Sequence, residues 1–370
     1  MMTILFLSVA AAYLIELLWL RWGLRKADRA PAADGYEPTV SVIVAARNEE
    51  ERIAECLASL ARLEYPAAKL EIIVVDDRST DRTAELIGRS SAHHPSMRGI
   101  TSGTPEGSLR GKANALLHGI EASRGEILMF TDADCRVPHT WVRETVSFFD
   151  DATGVVGGFT MLDAGGSFEG MQQLDWLFLF GVASSAAGWG MPLTAIGNNL
   201  SIRRKAYDAA GGYREIPFSV TEDYSLVQSI LRKTTFGVRF PVNAGSVVRS
   251  KACQTWKQLF RQKQRWVVGG LDMVLRGMLI MLVGWMYRFV LLASLPLVDP
   301  LLVVATAALV MSLELAFLAL PLRKFASLSS LRYFPVFQFY YLPLVLLSPL
   351  VALISRNIVW KERTHRKQDA

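Results

Sequence analysis

Cysteine and histidine are scarce in this chain of 370 residues, with three of the one and five of the other. Cys56, Cys135 and Cys253 are odd in number and widely separated, which argues against a disulfide framework and a zinc site and fits a reducing compartment. None of the histidines stands at an obvious metal position. Charged residues make up only 20% of the chain, and the net charge of +6 is concentrated at 21–29 and 356–367. Both clusters flank apolar runs, so attraction to anionic lipid headgroups, ~1 kcal/mol per basic residue, explains them more simply than nucleic acid does. A Walker A loop is absent, because Glu106 replaces its first glycine and Ala113 its Ser/Thr; residues 165–170 do not satisfy a dinucleotide fingerprint. There is no internal repeat and no low-complexity stretch.

Apolar residues are plentiful at 51%, with a mean hydropathy of +0.26, and they are segregated. Residues 3–20, 278–298, 300–320 and 333–354 approach the ~20 residues that span a bilayer. The first run has no basic segment before it and is followed by Arg21, Arg25 and Lys26. It therefore reads as an uncleaved anchor with its C-terminal side in the cytoplasm; a signal peptide cut near 10–12 would need the basic cluster on the other side. Arg288 interrupts the second run, so 271–298 is either partly interfacial or crosses with Arg288 facing protein. A cytoplasmic basic tail requires an even number of later crossings, which favours 300–320 and 333–354. The expected layout is an anchor (1–26), a linker (27–38), a catalytic domain (39–270), a C-terminal membrane region of two to three helices (271–356) and a basic cytoplasmic tail (357–370). The expected location is the cell (inner) membrane, multi-pass, with the catalytic domain cytoplasmic.

Between the membrane segments the pattern is α/β. Apolar runs at 40–46, 70–75 and 127–131 read as buried parallel strands, and 49–63, 79–87, 112–120 and 138–149 as the intervening helices. A further strand is expected over 154–161, the acceptor side over 168–190, and an amphipathic helix at the membrane surface over 253–268. This rhythm predicts a Rossmann-like, mostly parallel sheet with its ligand at the carboxyl ends of the strands.

Acids stand at those ends. Asp76 and Asp77 close the second strand, where they can contact a nucleoside or cap the segment 79–81. Asn48-Glu49 is similarly a nucleotide contact or a helix start. Asp132 and Asp134 follow the third strand and can share a hard divalent cation, Mg²⁺ or Mn²⁺, with phosphate oxygens. Lys112 can place a cation on a diphosphate. Glu222 and Asp223 open a helix, as N-terminal acids often do, or supply a general base, a role typically worth ~10² to 10⁴ in rate. Gln262, Arg265 and Trp266, at i, i+3 and i+4, share one helical face.

As an ordered set, Thr39–Glu49, Val74–Asp81, Thr131–Asp134, Thr221–Asp223 and Gln262–Trp266 resemble the family 2 inverting glycosyltransferases over about 39–270. The resemblance implies a GT-A fold, a metal-dependent hexosyltransferase and a nucleotide diphosphate sugar donor, UDP-sugar favoured. It implies that Glu49 and Asp77, with Asp76, contact the nucleoside, and that Asp132 and Asp134 handle ribose, diphosphate and metal beside Lys112. Asp223, next to Glu222, would be the base. Gln262, Arg265 and Trp266 would hold diphosphate or acceptor, and Asn198-Asn199 would line the acceptor side. A lipid-embedded hydroxyl is the expected acceptor, as in ceramide glucosyltransferase-like members. The alternatives are a processive polysaccharide synthase, which shares Gln-x-x-Arg-Trp but needs more spans, and an inactive membrane scaffold.

Overall fold

The structure is a computed structural model that describes residues 1–28, 35–105, 109–194, 196–216, 221–270, 275–354, 357–360 and 363–366. Half of the expected linker (29–34), Arg356 at the end of the expected membrane region and, in the expected tail, Lys361 and Lys367 lie outside them. Along the chain, helix α1 (Met2–Ala27) precedes β1 (Val40–Ala46), α2 (Ile53–Leu60), β2 (Leu70–Asp76), α3 (Thr83–His93) and β3 (Met97–Thr101). Next come α4 (Gly111–Glu121), β4 (Ile127–Asp132), β5 (Cys135–Arg136), α5 (Trp141–Val146), β6 (Thr153–Gly157), β7 (Thr160–Asp163) and α6 (Ser167–Gly188). These are followed by β8 (Leu200–Arg203), α7 (Arg204–Ala209), α8 (Glu222–Lys233), β9 (Gly237–Arg239) and β10 (Val248–Lys251). Helices α9 (Trp256–Gly270), α10 (Leu275–Ser294), α11 (Pro300–Lys324) and α12 (Phe334–Ile354) lead to a β11 (Asn357–Trp360)–β12 (Arg363–Arg366) hairpin.

Contacts divide the chain into two compact units. Asp28–Met161 and Thr194–Lys251 form the α/β unit; Met1–Ala27, Leu162–Leu193 and Ala252–Asp369 form a helical one. The expected domain at 39–270 is thus shared between them, because 162–193 and 252–270 make most of their contacts with the apolar helices.

In the α/β unit a seven-stranded sheet runs β3-β2-β1-β4-β8-β6-β9, with β8 antiparallel to both its neighbours and the other pairings parallel. Strands β1, β2 and β4 are buried almost throughout, so Val42, Ile43, Val44, Ile73, Val74 and their neighbours each contribute about 1.5–3 kcal/mol of hydrophobic stabilisation. Ala46 pairs with Asp76 and Ala45 with Asp132, so the acids closing β2 and β4 flank the end of β1. The chain leaves β1 towards β2 on one side and meets β4 on the other. That is the switch point at which open α/β sheets bind ligands.

Local chemistry shortens the expected helices. Asn48 has φ 50°, and the Glu49 carbonyl accepts from both Arg52 N and Ile53 N at 2.9 Å, so a turn replaces the first part of 49–63. Asp81 accepts the Thr83 N–H at 3.0 Å and moves the start of α3 to Thr83. The strand expected over 154–161 is split: β6 joins the large sheet and β7 a second sheet, β5-β10-β7.

In the helical unit α1 and α6 approach closely at glycines; a Cβ on Gly188 would lie 2.1 Å from the Gly23 carbonyl oxygen. Among the described residues α1, α10 and α11 are long and apolar enough to cross a membrane. Arg288 faces protein: its Nη2 lies 2.7 Å from Glu314 Oε1, which also accepts from Tyr13 Oη at 2.6 Å. Residues 168–190, expected to build an acceptor side, are mainly the buried helix α6. In α9, Trp256 and Phe260 are exposed, as are Lys257 and Arg261.

Candidate active site

Three segments far apart in sequence meet at the end of β4. Lys112, in the first turn of α4, lies 2.6 Å from Asp132 Oδ1 and 3.4 Å from Glu222 Oε1, at the start of α8. Burial opposes the lysine's charge, but the two carboxylates outweigh it and hold the ammonium well above the usual lysine range. Burial likewise pushes the Glu222 carboxyl up; Lys112 pulls it down, and Asp223 adds to the rise. Lys112, expected to place a cation on a diphosphate, thus stands between two acids at the end of β4.

Asp223 is fixed by backbone. Its Oδ2 accepts the Gly197 N–H at 2.6 Å and its Oδ1 the Tyr224 N–H at 2.8 Å. A Cβ at Gly197 would stand 3.1 Å from Oδ2, so glycine lets the amide approach this closely. Gly197 was missed as a partner of Asp223, although it directly precedes Asn198-Asn199.

The two asparagines expected on the acceptor side are bound into the fold. Both are buried, and their side chains serve the fold. Asn198 Oδ1 accepts from Thr160 Oγ1 at 3.0 Å. Asn199 accepts from Trp141 Nε1 at 2.9 Å and donates to the Phe159 and Ser246 carbonyls at 2.8 and 2.9 Å. The Asn199 amide and the Asn198 side-chain oxygen are therefore engaged by β7, α5 and the segments next to them.

The paired acids at 76 and 77 also separate. Both oxygens of Asp76 lie 3.3 Å from the Ser79 N–H, the turn-forming alternative. Asp77 accepts from Ser102 Oγ at 2.8 Å and lies 3.7 Å from Arg47. Asn48 spans the loop pair, donating its N–H to Ser79 Oγ and accepting the Thr80 N–H. Glu49, Asn48, Arg52 and Asp81 help to line a concavity of about 300 Å³. Arg52 also reaches Asp134 Oδ2 at 3.5 Å, tying that concavity to the Asp-x-Asp turn.

Ligand atoms of Asp132, Asp134 and Cys135 lie within 4.8 Å of one another. Burial, reinforced by the Asp134 and Asp132 carboxylates, pushes the Cys135 thiol up, and sulfur suits softer metals than Mg²⁺ or Mn²⁺. Two half-buried carboxylates remain. An oxygen donor pair that leaves positions for phosphate oxygens and water suits Mg²⁺ or Mn²⁺. Gln262, Arg265 and Trp266 belong to the helical unit, on α9 as expected; the Trp266 ring lies 5.1 Å from that of Trp176.

Residues 41–223 match the sequence family described as Glycosyl transferase family 2. A probable glycosyltransferase, YdaM, of Bacillus subtilis (strain 168) is 29% identical over 246 residues, 65% of this chain and 57% of that one. The beta-monoglucosyldiacylglycerol synthase of Synechocystis sp. (strain ATCC 27184 / PCC 6803 / Kazusa) is 27% identical over 241 residues, 63% of this chain and 48% of that one. Poly-beta-1,6-N-acetyl-D-glucosamine synthases match as well. The match spans about half the length of the first two relatives. Among solved structures, the mannosyltransferase PcManGT from Pyrobaculum calidifontis, in complex with GDP-Man and Mn²⁺, superposes with a TM-score of 0.59 at 19% identity, covering 92% of this chain and 99% of that one. The α/β sheet with acids at its switch point is thus a GT-A fold, and its residues 41–223 are similar to the glycosyl transferase family 2 domain.

Proposed function

We propose that this chain is a membrane-bound, inverting, metal-dependent hexosyltransferase that moves one sugar from a nucleotide diphosphate sugar, a UDP-sugar being favoured, to a lipid-embedded hydroxyl. The observation that carries the reading is the convergence of Asp132, Lys112 and Glu222-Asp223 at the end of β4. Asp223 takes the proton of the acceptor hydroxyl. The hydroxyl oxygen forms its bond to the anomeric carbon as the bond to the diphosphate breaks on the opposite face, which inverts that carbon. Asp77 and Glu49 bind the nucleoside, with Asp76 shaping the turn beside them. Lys112 and Arg265 meet charge on the diphosphate, and Gln262 and Trp266 hold diphosphate or acceptor. Asp132 and Asp134 would hold Mg²⁺ or Mn²⁺, which when bound supplies positive charge to the diphosphate.

The lipid acceptor is supported by the long apolar helices and by the name of the Synechocystis relative. In the same reading the enzyme is multi-pass in the cell membrane with its α/β unit cytoplasmic, where nucleotide sugars are, and α9 lies at the surface. The test is incubation of the purified protein in lipid with a panel of nucleotide sugars, Mg²⁺ or Mn²⁺ and extracted membrane lipids. A discrete lipid-soluble product supports the reading. A ladder of polymer favours the synthase, and no turnover of any donor counts against a transferase.

A further inference from the structure

We propose that Asp175 is a positioning residue, which holds the Gln-x-x-Arg-Trp face of α9 in register through Lys263. The inference rests on the reading of that face as part of the transfer site. Asp175 is on α6 and is 5% exposed; Lys263, between Gln262 and Arg265, is 7% exposed. A carboxylate and an ammonium this deep in a helical packing are costly unless paired. They are paired with each other, Lys263 Nζ against Asp175 Oδ2. The same oxygen accepts the Tyr340 hydroxyl of α12 at 3.0 Å, so α6, α9 and α12 meet at one carboxylate.

Lys263 does more than close the ion pair. Its Nζ sits 4.1 Å from the centre of the Trp266 ring, a cation–π contact that orients the indole. Trp266 in turn lies against Trp176, the residue after Asp175. The start of α9 is held to the same helix: Gln172 accepts the Cys253 N–H and donates to the Cys253 carbonyl, both at 3.0 Å. Two clamps on α6, one before α9 and one inside it, fix both the direction and the rotation of the helix that presents Gln262, Arg265 and Trp266. Of the two, only the Asp175 clamp controls the Trp266 ring.

The test compares wild type, Asp175→Asn and the double variant D175N/K263M in lipid, by hydrogen exchange and by kinetics. In D175N, exchange over 256–270 quickens while that over 40–76 does not. Its kcat falls about tenfold or more, as misplaced reacting groups cost ~10² per ångström. The donor KM stays within about twofold, because the nucleoside contacts are in the α/β unit. In the double variant no buried charge is unpaired, so α9 regains protection, but kcat stays low because Lys263 no longer orients Trp266. Unchanged α9 exchange in D175N overturns the proposal, as does a kcat that returns with protection in the double variant. If wild-type protein turns over no donor, the transferase reading fails and the catalytic half of this proposal with it; exchange over 256–270 still decides whether Asp175 holds the helix.

Discussion

Gly197→Ala is a small perturbation aimed at the proposed base. The added Cβ would lie 3.1 Å from Asp223 Oδ2 and 3.2 Å from Asp223 Cβ, so the carboxylate must shift by a few tenths of an ångström. That shift stretches the 2.6 Å hydrogen bond from the Gly197 N–H and turns the carboxylate away from its set direction. If a misplacement of 1 Å costs ~10² in rate, a third of that costs about three- to tenfold in kcat. Overpacking of this size destabilises by about 1–3 kcal/mol, so the protein still folds. The assay is kcat and KM for donor and acceptor in lipid, beside a thermal melt. Asp223→Asn alone is expected to lower kcat by ~10² to 10⁴ with donor binding kept. Because both changes act through one carboxylate, Gly197→Ala should add little in the D223N background. The reasoning is refuted if G197A keeps full kcat, or if it lowers kcat by the same factor with Asp223 already removed.

Chelation with EDTA should abolish transfer, and Mg²⁺ or Mn²⁺ should restore it; Asp134→Ala should raise the metal requirement by at least the ~10-fold that loss of an outer-shell partner costs, read from a metal titration of the rate. Burial, reinforced by nearby carboxylates, pushes the Cys56 and Cys135 thiols well up. Thiolate is therefore negligible at neutral pH, and iodoacetamide at pH 7.5 should modify Cys253 first, as peptide mass spectrometry would read. Glu314→Ala strands Arg288 in the helical unit and should cost about 3–5 kcal/mol, seen as a lower melting temperature in detergent. Replacing Arg288 by Leu as well should recover much of that loss.

The strands β1, β2 and β4 were legible because each is a largely apolar run, the last two closed by an acid, and that pattern fixes both the parallel sheet and the edge where ligands bind. What the pattern hides is which oxygen does what. Asp76 and Asp77 are neighbours in sequence, yet only the structure separates the turn-former from the carboxylate held by Ser102 and Arg47. Asn198 and Asn199 were assigned to the acceptor side by resemblance, and a buried amide and a lining amide look alike in sequence. Their partners, Thr160, Trp141, Phe159 and Ser246, come from remote segments that no local spacing reveals. The acidic partners of Lys112 were hidden for the same reason, being twenty and more than a hundred positions away. Helix α6 has little periodicity because it is apolar nearly all round, and Asp175 stands out only once Lys263 is seen against it.

The most direct test of single transfer with inversion is proton NMR of the purified lipid product made from an α-linked nucleotide sugar. The account predicts one sugar per lipid, with the large anomeric coupling of a β-linked glucose-type ring. An α-linked product, or more than one sugar on the lipid, would contradict it.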